Sequence, residues 1–288
     1  MQLTQVLRAN PAQDVNTPLG RIQYRRAGKA MHLTHVLLHG IGSGSGSWVY
    51  QLQAASERDD VLVLAWEAPG YGDSDKLAPL EPMANDYAKH MWSWLDALAL
   101  QGIEMSRPFT LVGHSLGALM AAAAATQRPD AIHDLLFLSP ARGYGQADSS
   151  TREEVLNRRL SNLDRLGPQG MAQARSAAML SPQAPAFMRE WVANIMGQIR
   201  PDGYRQAAHM LAQEDLGQYL SHLKLPMRFA SGEADGITPP AGCQALSLIA
   251  HSDWQSLGPV GHACSIEASN MINTLLGFVP NTEKVVSP

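Results

Sequence analysis

The sequence predicts an α/β fold: a mostly parallel sheet flanked by helices and interrupted once by an all-helical cap insertion. Three observations carry this. Short apolar runs alternate with helix-spaced segments through the first half of the chain and again near its end, as a parallel sheet covered on both faces requires. Residues 142–217 hold no convincing strand and are richer in Arg, Gln and Met than the rest. An apolar run ends in Gly113-His114-Ser115-Leu116-Gly117 and passes at once into an alanine-rich helix former. The expected organisation is therefore a core over residues 1–141 and 218–288, with residues 142–217 lying over the carboxyl edge of the sheet as a cap.

Taken in order, residues 22–27 read as the first strand, punctuated by Gly20 and Gly28. Residues 33–38 are a second strand, which feeds a glycine-rich loop from His39 to Trp48. That loop has neither a Gly-Lys-Ser/Thr ending nor Gly-x-Gly-x-x-Gly spacing, so phosphate binding is poorly supported. The competing reading is a flexible strand-end loop whose backbone N–H groups face a site. Residues 61–66 are apolar throughout and read as a strand buried on both faces. A rigid turn cluster follows over residues 67–75. Ala84, Tyr87, Ala88, Met91, Leu95 and Leu98 recur at three- and four-residue spacing, which makes residues 83–100 a helix. The strand 109–112 and helix 118–126 flank the serine, and residues 135–138 form the next strand.

The insertion divides into helical stretches at about 151–166, 168–180, 185–196 and 201–213, with prolines near their starts that suit first-turn positions. The β/α pattern resumes with a strand at 227–231, a helix at 241–249, a short strand at 254–257 and a closing helix at 265–278. Residues 281–288 look like a frayed tail.

A formal net charge of -4 without a basic cluster argues against nucleic acid as a partner. No apolar run approaches the ~20 residues that a membrane span needs. Residues 1–18 are polar and contain no apolar signal core. Two cysteines, Cys243 and Cys264, fit a reducing cytoplasm better than a disulfide framework. The expected partner is a small-molecule substrate. No nucleic acid, membrane, metal or cofactor is called for, and a homo-oligomer is left open.

Strand, Gly-x-Ser-x-Gly and helix in succession form the context in which such a serine is a nucleophile. A Cβ at Gly113 or Gly117 is expected to clash with the facing strand or helix. A serine hydroxyl is a poor nucleophile at neutral pH, so it needs a base that is itself oriented by a third group. Of ten histidines, His262 is the one in a tight glycine-bounded loop after the last strand. His39 is read as a brace of the glycine loop, and His114, adjacent to Ser115, as pointing elsewhere. For the orienting acid, Asp235 follows the 227–231 strand and precedes Thr238-Pro239-Pro240, with Glu233 the near rival. Asp73 and Asp75 read as turn formers.

These pieces together resemble the α/β-hydrolase fold superfamily over residues 22–278: His39-Gly40 with its glycine loop, Ala68-Pro69-Gly70-Tyr71-Gly72-Asp73-Ser74-Asp75, the serine motif, Gly232-Glu233-Ala234-Asp235-Gly236-Ile237-Thr238-Pro239, and Gly261-His262. The resemblance implies a serine hydrolase with Ser115, Asp235 and His262 as catalytic residues, in the chain order that the family uses. It also implies an oxyanion hole made by the backbone N–H groups of Leu116 and of Ile41 or Gly42. Some relatives carry the acid at position 139, where this chain has Ser139. The insertion and the 232–240 segment are similar to 3-oxoadipate enol-lactonases, which implies a small carboxylic ester or lactone as substrate. The Gly-Ser-Trp at the end of the glycine loop is similar to the carbon–carbon hydrolases of aromatic ring-cleavage pathways. The usual Gly-Pro-Gly of those enzymes is missing here. A non-catalytic ligand-binding member of the fold is the third reading.

For the substrate pocket, Trp48 is a candidate wall or else a core residue. Arg142 and Arg175 are candidates for holding a carboxylate through two parallel hydrogen bonds. Met171, Met179, Met188, Met196 and Met210 either line an apolar pocket or pack the insertion. Cys264 reads as a small buried hydrophobe.

Overall fold

The protein, as a computed structural model, is described over residues 3–278. The expected tail at 281–288 lies outside the described residues. In chain order the elements are α1 (Leu3–Ala9), β1 (Ala12–Thr17), β2 (Gly20–Ala27), β3 (His35–Leu38), α2 (Val49–Ser56), β4 (Val63–Trp66), α3 (Ala84–Leu100), β5 (Phe109–His114), α4 (Gly117–Gln127) and β6 (Ile132–Leu138). There follow α5 (Ser149–Arg175), α6 (Ala186–Gly197), α7 (Pro201–Gln213) and α8 (Leu216–Leu220). The chain then returns to the sheet with β7 (Met227–Ser231), α9 (Pro240–Ile249), β8 (Trp254–Ser256), α10 (Cys264–Glu267) and α11 (Ser269–Leu275).

The eight strands form one sheet in the order β1-β2-β4-β3-β5-β6-β7-β8. The β1–β2 and β2–β4 pairs are antiparallel, and every other pair is parallel. Alternating side chains divide the core between the two faces. Val36, Leu38 and Leu111 pack with α3, α4 and α9. Leu37, Val112 and Leu136 pack with α2 and α11. From β3 the chain steps one way to β4, then crosses back past β3 to β5. That reversal opens a crevice at the carboxyl ends of β3 and β5, where open α/β sheets bind ligands.

Four elements escape sequence reading: α1, β1, α2 and α8. Strand β1 buries only Val15, and α1 only Val6. An edge strand held mainly by backbone hydrogen bonds to β2 needs no apolar alternation, so periodicity cannot reveal it. The closing helix at 265–278 is two short helices, broken where Ala268 leaves helical geometry at φ -109°, ψ 35°. Helix α5 joins the first two expected stretches of the insertion but is interrupted at Gly167, with φ 62° and ψ 178°. Helix α8 runs through the expected boundary at 217, and its Leu216 and Leu220 belong to the main core.

Helix α4 is buried along every residue from Gly117 to Ala125. Alanine serves there as the strongest helix former that also lets a helix lie close to the sheet. A Cβ on Gly117 would come 2.3 Å from the Leu38 carbonyl oxygen, and one on Gly113 would come 2.6 Å from Ala118 Cα. Both obstacles are backbone and cannot swing aside. Gly117→Ala is therefore expected to cost on the order of 3 kcal/mol. Urea unfolding measures this, and a loss below about 0.5 kcal/mol would mean that β3 and α4 can part freely.

Candidate active site

The β5–α4 turn presents Ser115 at φ 53°, in the left-handed region that a serine enters only under constraint. Its backbone is pinned on both sides. The Ser115 N–H donates to the Leu138 carbonyl at 3.0 Å, and its carbonyl accepts from the amides of Ala118 at 3.1 Å and Ala141 at 3.0 Å. Gly40 gives room, since a Cβ there would meet Ser115 Cβ at 2.8 Å. Around the serine hydroxyl lies a cavity of about 290 Å³ that His262 also borders. A second chamber of about 30 Å³, large enough for only a few atoms, is bordered by the same two residues. Gly40, Ala263 and Ile266 are among its walls.

His262 Nδ1 lies 2.9 Å from Asp235 Oδ2, and both side chains are buried. Burial by itself would raise the Asp235 pKa. Hydrogen bonding and charge attraction from His262, with the amides of Thr238 and Ile237, outweigh it and hold the carboxyl at about 2. Both amides donate to Asp235 Oδ1 at 2.9 Å. Thr238 completes the arrangement: its hydroxyl is 2.9 Å from Asp235 Oδ2, 3.0 Å from the Ser139 carbonyl and 3.0 Å from His262 Nδ1. With one proton to give, it donates to an oxygen and accepts from the imidazole. Glu233, the rival acid, instead accepts from Ser256 Oγ at 2.6 Å on an exposed edge.

The loop carrying His262 is held by contacts that no motif announces. The Glu267 carboxylate accepts the amides of Gly261 at 2.9 Å and Ser181 at 3.0 Å, so one side chain ties the loop to the helical insertion. A Cβ on Gly261 would meet the Leu180 carbonyl carbon at 2.5 Å, so only glycine allows that approach. The local signal for Thr238 was present as Asp and Thr three residues apart, a spacing that favours side-chain-to-backbone turns. Nothing local marked Glu267.

The other two histidines of the site are structural and neutral. His39 donates from Nδ1 to the Gly40 carbonyl at 2.9 Å and accepts the Ala68 amide on Nε2 at 3.0 Å. Glu67 is 3.8 Å from that Nε2, but a nitrogen already accepting a hydrogen bond makes no ion pair there. His114 donates from Nε2 to the His262 carbonyl at 2.8 Å, with its ring 4.9 Å from that of His262. Its Nδ1 is buried without a partner. Burial, and then the neighbouring His262, lower the His114 pKa to about 3. The unfolded chain thus takes up a proton near pH 6.5 that the folded chain refuses until about pH 3. Stability from this group is complete above pH 6.5 and is lost as pH falls below it. His114→Gln keeps a donor for the carbonyl, and is expected to flatten the decline between pH 6 and 4 by up to about 1.4 kcal/mol per pH unit. Urea titrations across that range measure it. An unchanged slope would show that His114 protonates within the fold.

Among the described residues, the backbone N–H groups of Ile41 and Leu116 have no acceptor, whereas that of Gly42 points to the Tyr71 hydroxyl at 3.5 Å. Ile41 and Gly42 both border the main cavity. The glycine loop itself differs from expectation. It is a buried 3-10 turn over Ser45–Trp48, closed by Ser47 N–H on the Gly44 carbonyl and by Ser45 N–H on Glu67. Trp48 is also corrected. It is fully buried under the sheet with Leu37 and Val112, edge-on to His114, and borders neither chamber. The sequence placed it correctly in the loop but could not show that the 3-10 turn rotates it inward.

Arg142 and Arg175 both border the main cavity, and Arg142 donates from Nε to Asp215 Oδ1 at 2.9 Å. Met171, Met179 and Met196 line it, while Met188 and Met210 do not. Cys264 is buried, with Sγ 3.9 Å from Ser139 Oγ and burial raising its thiol to about 12.

Compared with known proteins, residues 36–270 match the model of the Alpha/beta hydrolase family. The protein named "Putative carbamate hydrolase RutD" of Klebsiella pneumoniae (strain 342) is 29% identical over 257 residues, spanning 84% of this chain and 88% of its own. A thermophilic esterase from Thermogutta terrifontis superposes with a TM-score of 0.78 at 20% identity, covering 93% of this chain and 97% of its own. The enol-lactonase from Burkholderia xenovorans LB400 gives 0.78 at 19%, covering 92% and 99%.

Proposed function

The chain belongs to the alpha/beta hydrolase family, and from that premise we propose that it is a cofactor-independent serine hydrolase acting on a small carboxylic ester or lactone. The observation that carries the reading is the strained Ser115 opening onto the cavity that His262 borders, with the far nitrogen of His262 against Asp235. His262 takes the Ser115 proton as the oxygen attacks the carbonyl carbon. The N–H groups of Ile41 and Leu116 receive the oxyanion, and being without acceptors they need no rearrangement to do so. Asp235 remains a carboxylate and stabilises the imidazolium. The imidazolium then protonates the departing alcohol oxygen, which leaves an acyl group on Ser115. Water, deprotonated by the same histidine, releases the acid and restores the serine. Residues 142–217 act as the cap that covers this chemistry and shapes the substrate space.

The 30 Å³ chamber supports a small group on one side of the scissile bond. A fluorophosphonate probe reads the nucleophile directly. Wild-type protein is expected to be labelled at Ser115 and Ser115→Ala to remain unlabelled. Labelling elsewhere, or none in folded wild-type protein, would overturn the assignment.

A further inference from the structure

The main cavity is bordered by three arginines, Arg142, Arg159 and Arg175, and by no aspartate or glutamate. One of the three is already engaged, because Arg142 is paired with the buried Asp215. The other two form no hydrogen bond or ion pair among the described residues. Arg159 Nε is moreover buried without a partner. Most other arginines of the helical insertion are satisfied. Arg205 pairs with Asp164 and Arg158 lies against Glu154, while Arg189 and Arg200 donate to backbone carbonyls. Two uncompensated guanidinium groups facing an acid-free cavity, in a chain of net charge -4, are a local reversal of sign.

Their convergence depends on a backbone break. Arg159 and Arg175 belong to one helical run, and sixteen residues of unbroken helix would set them roughly 24 Å apart. Gly167 interrupts that run at φ 62° and ψ 178°, a conformation that side chains disfavour, and Pro168 starts the second segment. Nothing lies within 4 Å of a Cβ built on Gly167, so it is the backbone angle and not crowding that calls for glycine there. The turn brings both arginines onto the wall that Ser115 shares.

We infer that Arg159 and Arg175 form an anion subsite, so that the substrate carries a free carboxylate distant from the bond that Ser115 attacks. A guanidinium presents paired donors that match the two oxygens of a carboxylate. The methionines, Leu211 and Leu246 around the arginines suit the short carbon chain between carboxylate and scissile carbonyl. This deepens the serine-hydrolase reading and rests on it for the reaction, though not for the binding. The signal in the sequence was weak: Arg159 sits in a helix with six other charged residues between 152 and 165, and nothing local separates the arginine that faces the cavity from those that face water.

The test compares p-nitrophenyl hemisuccinate with its neutral methyl ester, and measures binding of glutarate to Ser115→Ala by calorimetry. Wild-type protein is expected to favour the free acid in kcat/KM by roughly 100-fold at low ionic strength, less as salt is added. Arg159→Gln and Arg175→Gln should each lower kcat/KM for the acid by about 10- to 100-fold and leave the neutral ester within about threefold. Arg159→Lys, which keeps the charge without the fork, guards against a folding defect and should fall between. Equal rates for both esters in wild-type protein, with no glutarate binding, would overturn the subsite while the hydrolase stands. Glutarate binding that is lost with either arginine, in a protein that cleaves neither ester, would leave the subsite intact and sink the hydrolase.

Discussion

Ser115→Ala is expected to lower kcat for p-nitrophenyl acetate by about 10⁴- to 10⁶-fold, with the melting temperature unchanged within about 2 °C. The two halves of this expectation have separate causes. Rate is expected to fall because the substitution removes the hydroxyl of the proposed nucleophile and leaves the rest of the proposed machinery in place. Stability is kept because the φ of 53° is imposed by hydrogen bonds of the Ser115 main chain, to Leu138, Ala118 and Ala141, none of which involves Oγ. Alanine meets the same backbone strain that serine meets. Steady-state kinetics with a thermal melt would decide the matter. A folded variant within tenfold of wild type would remove Ser115 from the mechanism.

Asp235→Asn is expected to lower kcat by about 10³- to 10⁴-fold while the cavity keeps its shape. The reason lies in which oxygen does what. Oδ1 accepts two amides, those of Ile237 and Thr238, so an asparagine there must turn its carbonyl oxygen toward them. Its NH₂ then faces His262 Nδ1 and requires that nitrogen to accept. The imidazole proton moves to Nε2, and the histidine can no longer take the proton of Ser115. Ammonium or imidazole added to the assay should not rescue this variant, since the base is present in the wrong tautomer and not missing.

The same substitution has a stability consequence with a definite sign. Because the folded carboxyl is held at about 2, its contribution is complete above its ordinary 3.8 and is lost as pH falls from 3.8 toward 2. Asp235→Asn forfeits it at neutral pH and should flatten the unfolding profile in that acid window. An acid limb of kcat/KM above about pH 4 belongs to another group. Unchanged kinetics in Asp235→Asn would instead mean that Thr238 alone orients the imidazole.

The elbow and the helices of the insertion were legible because each is a local pattern. Helix α7 falls at Pro201–Gln213, the span that its proline and apolar spacing predict, and β5 to α4 follows the glycines around Ser115. The antiparallel edge was not legible. Strand β1 exposes nearly all of its side chains, and its stability comes from pairing with β2 through backbone groups that every residue type carries. Trp48 shows a different limit. An aromatic residue beside a glycine loop fits a pocket wall or a core equally well until the direction of the turn is known. The Glu233–Asp235 ambiguity is of the same kind, since two carboxylates two residues apart in one loop are separated only by which of them meets His262.

The class of sheet was determined by the sequence alone, and the candidate nucleophile and its candidate base were named from it. Strand periodicity, glycine placement and the order Ser115, Asp235, His262 are properties of the chain read in one dimension. The tertiary structure alone decided which groups are left without partners. The lone N–H of Ile41, the pairing of Arg142 with Asp215, the clasp of Glu267 on Gly261 and Ser181, and the unpaired Arg159 beside Arg175 join residues distant in sequence. Whether a charge is satisfied depends on what the fold sets within about 3 Å of it, and in this protein that is also what points to the kind of substrate.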